Sequence, residues 1–227
     1  MNTKFSFLVT LIISIVIQVI ATIVESYALL VKIPVEFILL RQLLIVEVLV
    51  EFIQAVFYLW LAYNFNTVTD VTQYRYIDWT ITTPIMLITL IFYLIYSRHR
   101  EKGNTASLDF FTLLSDNSTM ITSIVYLNWL MLIFGFLAEK KILPTCIGVM
   151  LGFIPFVIYY FLIYINYAIF TKTSVLLFWY FFFFWSLYGI VAFFPYYMKN
   201  TFYNILDLFA KNFFGLFLSY IILTGNY

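Results

Sequence analysis

Asn204-Ile205-Leu206-Asp207-Leu208-Phe209-Ala210-Lys211 sets an amide, a carboxylate and an ammonium group inside an otherwise apolar run. The run has about ten residues on either side of Lys211, too many for that side chain to reach an interface if the segment spans a bilayer. An ionisable group at mid-membrane costs a few kcal/mol, so it marks a functional position. Asp207 lies one helical turn before Lys211, and Asn204 extends the stripe by three positions. The plainer alternative is a buried Lys–Asp pair that fixes helix packing, although such a pair often fails to recover its desolvation cost.

The rest of the chain supports the membrane setting. Of 227 residues, 64% are hydrophobic and only 10% charged, with a mean hydropathy of +1.01. Soluble chains carry about a quarter charged residues, so the fold class is all-α membrane, a seven-transmembrane-helix bundle. The expected helices cover about 4–29, 42–64, 74–96, 118–138, 143–166, 173–197 and 201–222, all within one domain, 1–227. The first apolar run is longer than a signal-peptide core and lacks a small-residue cleavage site, so it reads as a retained helix. Between the first two helices, residues 32–41 are too few to span and too apolar for a free loop, and they predict a short interfacial helix. Cys146 is the single cysteine, which excludes an intramolecular disulfide and a cysteine-cluster metal site. A net charge of +1 gives no reason to expect a nucleic-acid partner. Arg98, His99, Arg100 and Lys102, with Lys32, Arg41 and Lys172, fall on one side. The positive-inside rule then puts the N-terminus outside and the C-terminus in the cytoplasm, against the opposing trend of Lys140 and Lys141.

The third helix supplies the complement in Arg75-Tyr76-Ile77-Asp78-Trp79-Thr80-Ile81-Thr82-Thr83-Pro84. Asp78 and Thr82 are i,i+4 neighbours, and Thr89, eleven residues beyond Asp78, returns to nearly the same face. Threonines that bond back to their own helix would account for Thr80 and Thr83 but not for Arg75 and Asp78. Lys211 and Arg75 balance Asp78 and Asp207, an arrangement that can sit in a low-dielectric interior when every member is paired. It suits a permanently positive group on Lys211, such as a protonated Schiff base.

These stretches together resemble the microbial (type I) rhodopsins. Arg75 to Trp79 followed by Thr82-Thr83-Pro84 looks like that family's third-helix signature. Asp207 to Lys211 looks like its seventh-helix signature, and Trp185-Ser186-Leu187-Tyr188 looks like its sixth-helix packing segment. The short length, minimal loops and apolar first connection look most like the viral rhodopsins of giant algal or protist viruses. The resemblance implies all-trans retinal bound covalently to Lys211 as a Schiff base, in a pocket at the bundle's centre. It implies Asp78 as primary counterion and proton acceptor, Asp207 as second counterion, and Arg75 orienting the pair. Trp79, Thr82, Trp185, Tyr188, Gly189 and Ala192 would line the pocket, and Tyr188 and Tyr58 would hydrogen-bond Asp207. For any single aromatic, core filling is the simpler explanation. Gly189 stands where the family often has proline, and Ala192 where it often has an aromatic.

The resemblance also frames the transport mode. Outward proton pumps of the family usually carry an acid at the position of Thr89, and threonine cannot donate as an acid does. Glu47, Glu51 and Gln54 form a carboxylate-bearing stripe on the second helix, with Arg41 at its start. Such a stripe is what light-gated cation channels of the family use to line their pathway. Ser14 and Asn204 are expected to close polar constrictions with Glu47 and Gln54 respectively. The alternative is a structural network of Glu47 with Arg41, or Glu51 facing an oligomer pore. The favoured reading is a light-gated channel for protons or monovalent cations, not an enzyme, in a homo-oligomer (pentamer or trimer) and in a host-cell membrane. A weak outward proton pump, a photosensor and an optically inert seven-helix scaffold are the alternatives.

Overall fold

The computed structural model describes residues 3–227. Seven helical spans long and apolar enough to cross a membrane run antiparallel in sequence order. The first is α1 (Thr3–Leu30) and the second α2 (Ile38–Tyr63); α3 (Thr72–Glu101) is the third. A short α4 (Phe110–Asp116) precedes α5 (Ser118–Glu139), the fourth span, and α6 (Thr145–Ile163) forms the fifth. The sixth span is α7 (Lys172–Val191), and the seventh comprises α8 (Tyr196–Asp207) and α9 (Phe213–Thr224) joined by a π-helical turn, Leu208–Asn212.

The polarity of α1 is inverted relative to a soluble helix. Its buried positions Phe7, Leu11, Ser14, Gln18, Ala21, Glu25 and Ala28 recur every three or four residues and include all of its buried polar groups. Ile12, Val16, Ile20 and Ile23 face outward. A helix with polar groups inside and branched aliphatics outside is stable only where the surroundings are apolar.

Three local features depart from the sequence reading. The segment expected as an interfacial helix over 32–41 is a single 3-10 turn, Val35–Phe37, running directly into α2. Pro34 sits at its N-cap with φ −59°, the angle its ring enforces, so the turn starts there and residues 38–41 already belong to the second span. The sixth helix ends at Val191 rather than near 197, because Pro195 caps the N-terminus of α8 and the chain must turn before it. The third connection contains α4, which was not expected. Asp109 caps it, accepting from the backbone N–H groups of Phe111 (3.0 Å) and Thr112 (3.1 Å). The Gln42 side chain donates to the other carboxylate oxygen, and these bonds hold Asp109 below the usual carboxylate range.

Two features fix the bundle around the centre. Pro84 removes a donor from the middle of α3 and frees the carbonyl of Thr80, which accepts instead from the indole N–H of Trp129 on the fourth span (3.0 Å). The fourth and fifth spans meet at Gly148, where a Cβ would fall 2.6 Å from Ala138 Cβ and 2.9 Å from the Phe134 carbonyl. Only glycine lets those backbones approach so closely.

Candidate chromophore site

Lys211 is buried, and its amine forms an ion pair with Asp78 Oδ2 across the bundle on the third span. Asp207, one turn earlier, is held by other groups. The Tyr58 hydroxyl donates to its Oδ2 and the Tyr188 hydroxyl to its Oδ1, both at 2.7 Å, and Arg75 Nη1 lies 3.3 Å from Oδ2. Arg75, fully buried, also donates through Nε to Asn200 Oδ1 (3.0 Å) and through Nη2 to Asn204 Oδ1. Two cations and two carboxylates thus form two contacting pairs, the only form in which such charges are tolerable away from water. Asp78 Oδ1 has no partner in this arrangement.

The π-helical turn at Leu208–Asn212 sits on the lysine itself. A wide turn adds one residue to the register, and π-turns of this kind concentrate at functional positions. Asn200, Asn204 and Asp207 form an inward stripe that leads into it, Lys211 and Asn212 are both buried side by side within it, and Gly215 and Ser219 continue the buried face after it, one residue shifted by the wide turn.

Beside Lys211 is a cavity of about 110 Å³. Trp79, Trp185, Tyr188 and Tyr203 supply rings to its wall, and Gly152, Gly189 and Ala192 leave room between them. Trp79 meets Tyr188 and Tyr203 edge-to-face at 5.4 and 5.2 Å. Thr82 does not line this cavity: its hydroxyl bonds back to the Asp78 carbonyl at 2.9 Å, and the neighbouring Thr83 takes its expected place in the wall. An apolar, ring-walled slot with a primary amine and a carboxylate beside it fits a long conjugated aldehyde bound as a charged imine.

On the C-terminal side of Lys211, polar side chains of the first, second, third and seventh spans are buried together. The Thr89 hydroxyl donates to Glu47, and the Gln18 amide to the Glu51 carbonyl (2.8 Å). Two sequence expectations change here. Ser14 pairs not with Glu47 but with the Asn204 carbonyl (3.2 Å), and Gln54 Oε1 has no partner. Arg41 does not network with Glu47: it reaches back to the Val31 carbonyl near the surface, as its long side chain allows. The sequence reading passed over Asn200, Gln18, Glu25, Asn128, Asn212 and Ser219, all buried. Asn200 was findable, since it lies four residues before Asn204 and seven before Asp207.

A bacteriorhodopsin-like protein family model matches residues 6–225. The chain belongs to that family. Family members bind retinal through a Schiff base and act as light-responsive ion transporters or photoreceptors rather than enzymes. Among solved structures, the bacteriorhodopsin-like bundle is shared with the viral rhodopsin OLPVRII at 24% identity, covering 100% of both chains with a TM-score of 0.81. Acetabularia rhodopsin I shares it at 20% identity, covering 98% of this chain and 96% of that one, TM-score 0.74. The thermophilic rhodopsin from Rubrobacter xylanophilus does so at 22%, covering 94% of each, TM-score 0.72. No curated protein sequence matches this chain.

Proposed function

We propose that this bacteriorhodopsin-like protein binds all-trans retinal on Lys211 and is a light-gated cation channel. The observation that carries the transport half is that Ser14, Asn204, Gln54, Glu51, Glu47 and Thr89 are all buried polar groups within four packed spans, with Ser14 bonded to Asn204 and Thr89 to Glu47. Buried polar groups in a membrane bundle are costly, and a set of them shared by four helices suits an ion's path.

Retinal bound as a protonated imine supplies absorption of visible light and a light-driven change of shape at the nitrogen. The protein's own residues do the rest. Lys211 fixes the nitrogen, and Asp78 faces it with a negative charge. Arg75, Tyr58 and Tyr188 hold and orient Asp207 one turn away, so that two carboxylates offset the two cations around the nitrogen. Trp79 and Trp185 exclude water from the slot. Basic residues Arg98, His99, Arg100, Lys102 and Lys172 lie towards the face that carries the C-terminus, which supports a cytoplasmic C-terminus.

The transport reading is tested by photocurrents in a voltage-clamped cell. A channel's current changes sign as the voltage crosses the ion's equilibrium potential. A current of one sign at every voltage would overturn the channel and leave a pump. That second reading has one observation in its favour, the carboxyl of Glu47 brought to the hydroxyl of Thr89 from the neighbouring span.

The counterion assignment has its own test. Asp78→Asn, or acidification that protonates Asp78, removes a negative charge beside the imine nitrogen, and the absorption band is expected to move to longer wavelength. A band unmoved in Asp78→Asn would remove Asp78 from that role.

A further inference from the structure

Glu25 is the one carboxylic side chain in the first span, it is fully buried, and neither of its oxygens has a hydrogen-bond partner. It occupies a notch in the seventh span. A Cβ added at Gly215 would lie 2.1 Å from Glu25 Oε1, so the carboxyl rests where any other residue's side chain would begin. Asn212 and Ser219 lie on the same face, three residues before Gly215 and four after it. Both Asn212 amide atoms and the Ser219 hydroxyl are buried and unpartnered.

A carboxylate cannot be left without donors in such surroundings, whereas the neutral acid can. The elements packed on α1 here are the second and seventh spans. The second presents the carboxyls of Glu47 and Glu51 towards Glu25. The seventh presents no charged group at this level, and its Lys211 lies one turn further along. Glu51 lies near enough to both Glu25 and Lys211 to interact electrostatically with each. Among the described residues, no three His, Cys, Asp or Glu side chains stand close enough to hold a metal ion.

We propose that Glu25 is a resident proton-holding acid on the transport route, and that the cation carried is the proton. The inference rests on the transport reading above and adds the identity of the ion. The step is a simple exchange. Glu51, whose carboxyl oxygens are likewise buried and unpartnered, first releases its own proton along the path; the O–H bond of Glu25 then breaks, its electron pair stays on the carboxylate oxygen, and the proton passes to the vacated Glu51 carboxylate. Glu25 then takes a proton from water at the C-terminal face. Gly215 makes room for the acid, and Asn212 and Ser219 offer donors to the carboxylate once the proton has left.

Two measurements test this. In the retinal-free protein at neutral pH, infrared spectroscopy is expected to show the C=O stretch of a protonated carboxylic acid that disappears in Glu25→Gln and returns, shifted, in Glu25→Asp. In the retinal-loaded protein, the photocurrent reversal potential should follow the pH gradient and not the sodium gradient. The current should fall at least about tenfold in Glu25→Gln and recover in Glu25→Asp. The visible band formed with retinal reports that each variant folds. An unchanged infrared band in Glu25→Gln overturns the proposal even where photocurrents persist, and so does a reversal potential that follows sodium. A wild-type protein with no photocurrent at any voltage sinks the transport reading instead, and the infrared result still decides whether Glu25 holds a proton.

Discussion

Lys211→Ala should abolish the visible absorption band that appears when membranes containing the protein are incubated with all-trans retinal. The expected effect is complete, because no second primary amine reaches the cavity: Lys211 is the lysine among the lining residues. Its ammonium is buried against Asp78, so the alanine variant also leaves that carboxylate without its ion-pair partner. Circular dichroism showing retained helix in the variant separates loss of attachment from loss of fold. A band of undiminished intensity in Lys211→Ala would end the chromophore reading, and with it the roles assigned to Asp78 and Asp207.

The second large effect concerns stability. Asp207→Ala leaves Arg75 fully buried with only amide partners, Asn200 and Asn204, and strands the hydroxyls of Tyr58 and Tyr188. Removing one member of a buried ion pair costs about 3–5 kcal/mol, because the charge left behind has neither water nor a counter-charge. Tyr58→Phe removes a single bond to the same carboxylate and should cost about 1.5–3 kcal/mol. Unfolding in a denaturing detergent, followed by circular dichroism, measures both. An Asp207→Ala variant within about 1 kcal/mol of wild type would mean that Arg75 finds its balance elsewhere, contrary to the bonding described for it.

Much of the site could be read in the sequence because membrane interiors punish charge. Arg75, Asp78, Asp207 and Lys211 interrupt apolar runs at spacings that return to one helical face, and that alone pairs the third span with the seventh. The spans were legible for the same reason, with errors confined to their ends. Hydropathy averages over a window, while a helix end is decided by one residue, as Pro195 and Pro34 show. What stayed hidden depends on contacts between helices. Glu25 lies five residues from the end of α1, where an acid ordinarily reaches the interface, and only the notch at Gly215 shows that it points inward. Ser14 and Asn204 could each be singled out as polar residues in apolar runs, but their pairing follows from how the first and seventh spans lie together. The π-turn left no periodic signal, since a one-residue offset resembles ordinary scatter in an apolar run.

That offset divides the labour of the last helix. A regular helix would force every inward position to move together, so a change that retuned the light-absorbing end would also rotate the end beneath it. With a wide turn at the lysine, the segment that carries Asp207 and meets Arg75 of the third span and the segment facing Glu25 have separate phases. Each can accumulate substitutions without dragging the other out of alignment. Colour and cargo can therefore diverge independently along one continuous piece of chain, and variants differing in one but not the other should be obtainable by mutating only one side of the turn.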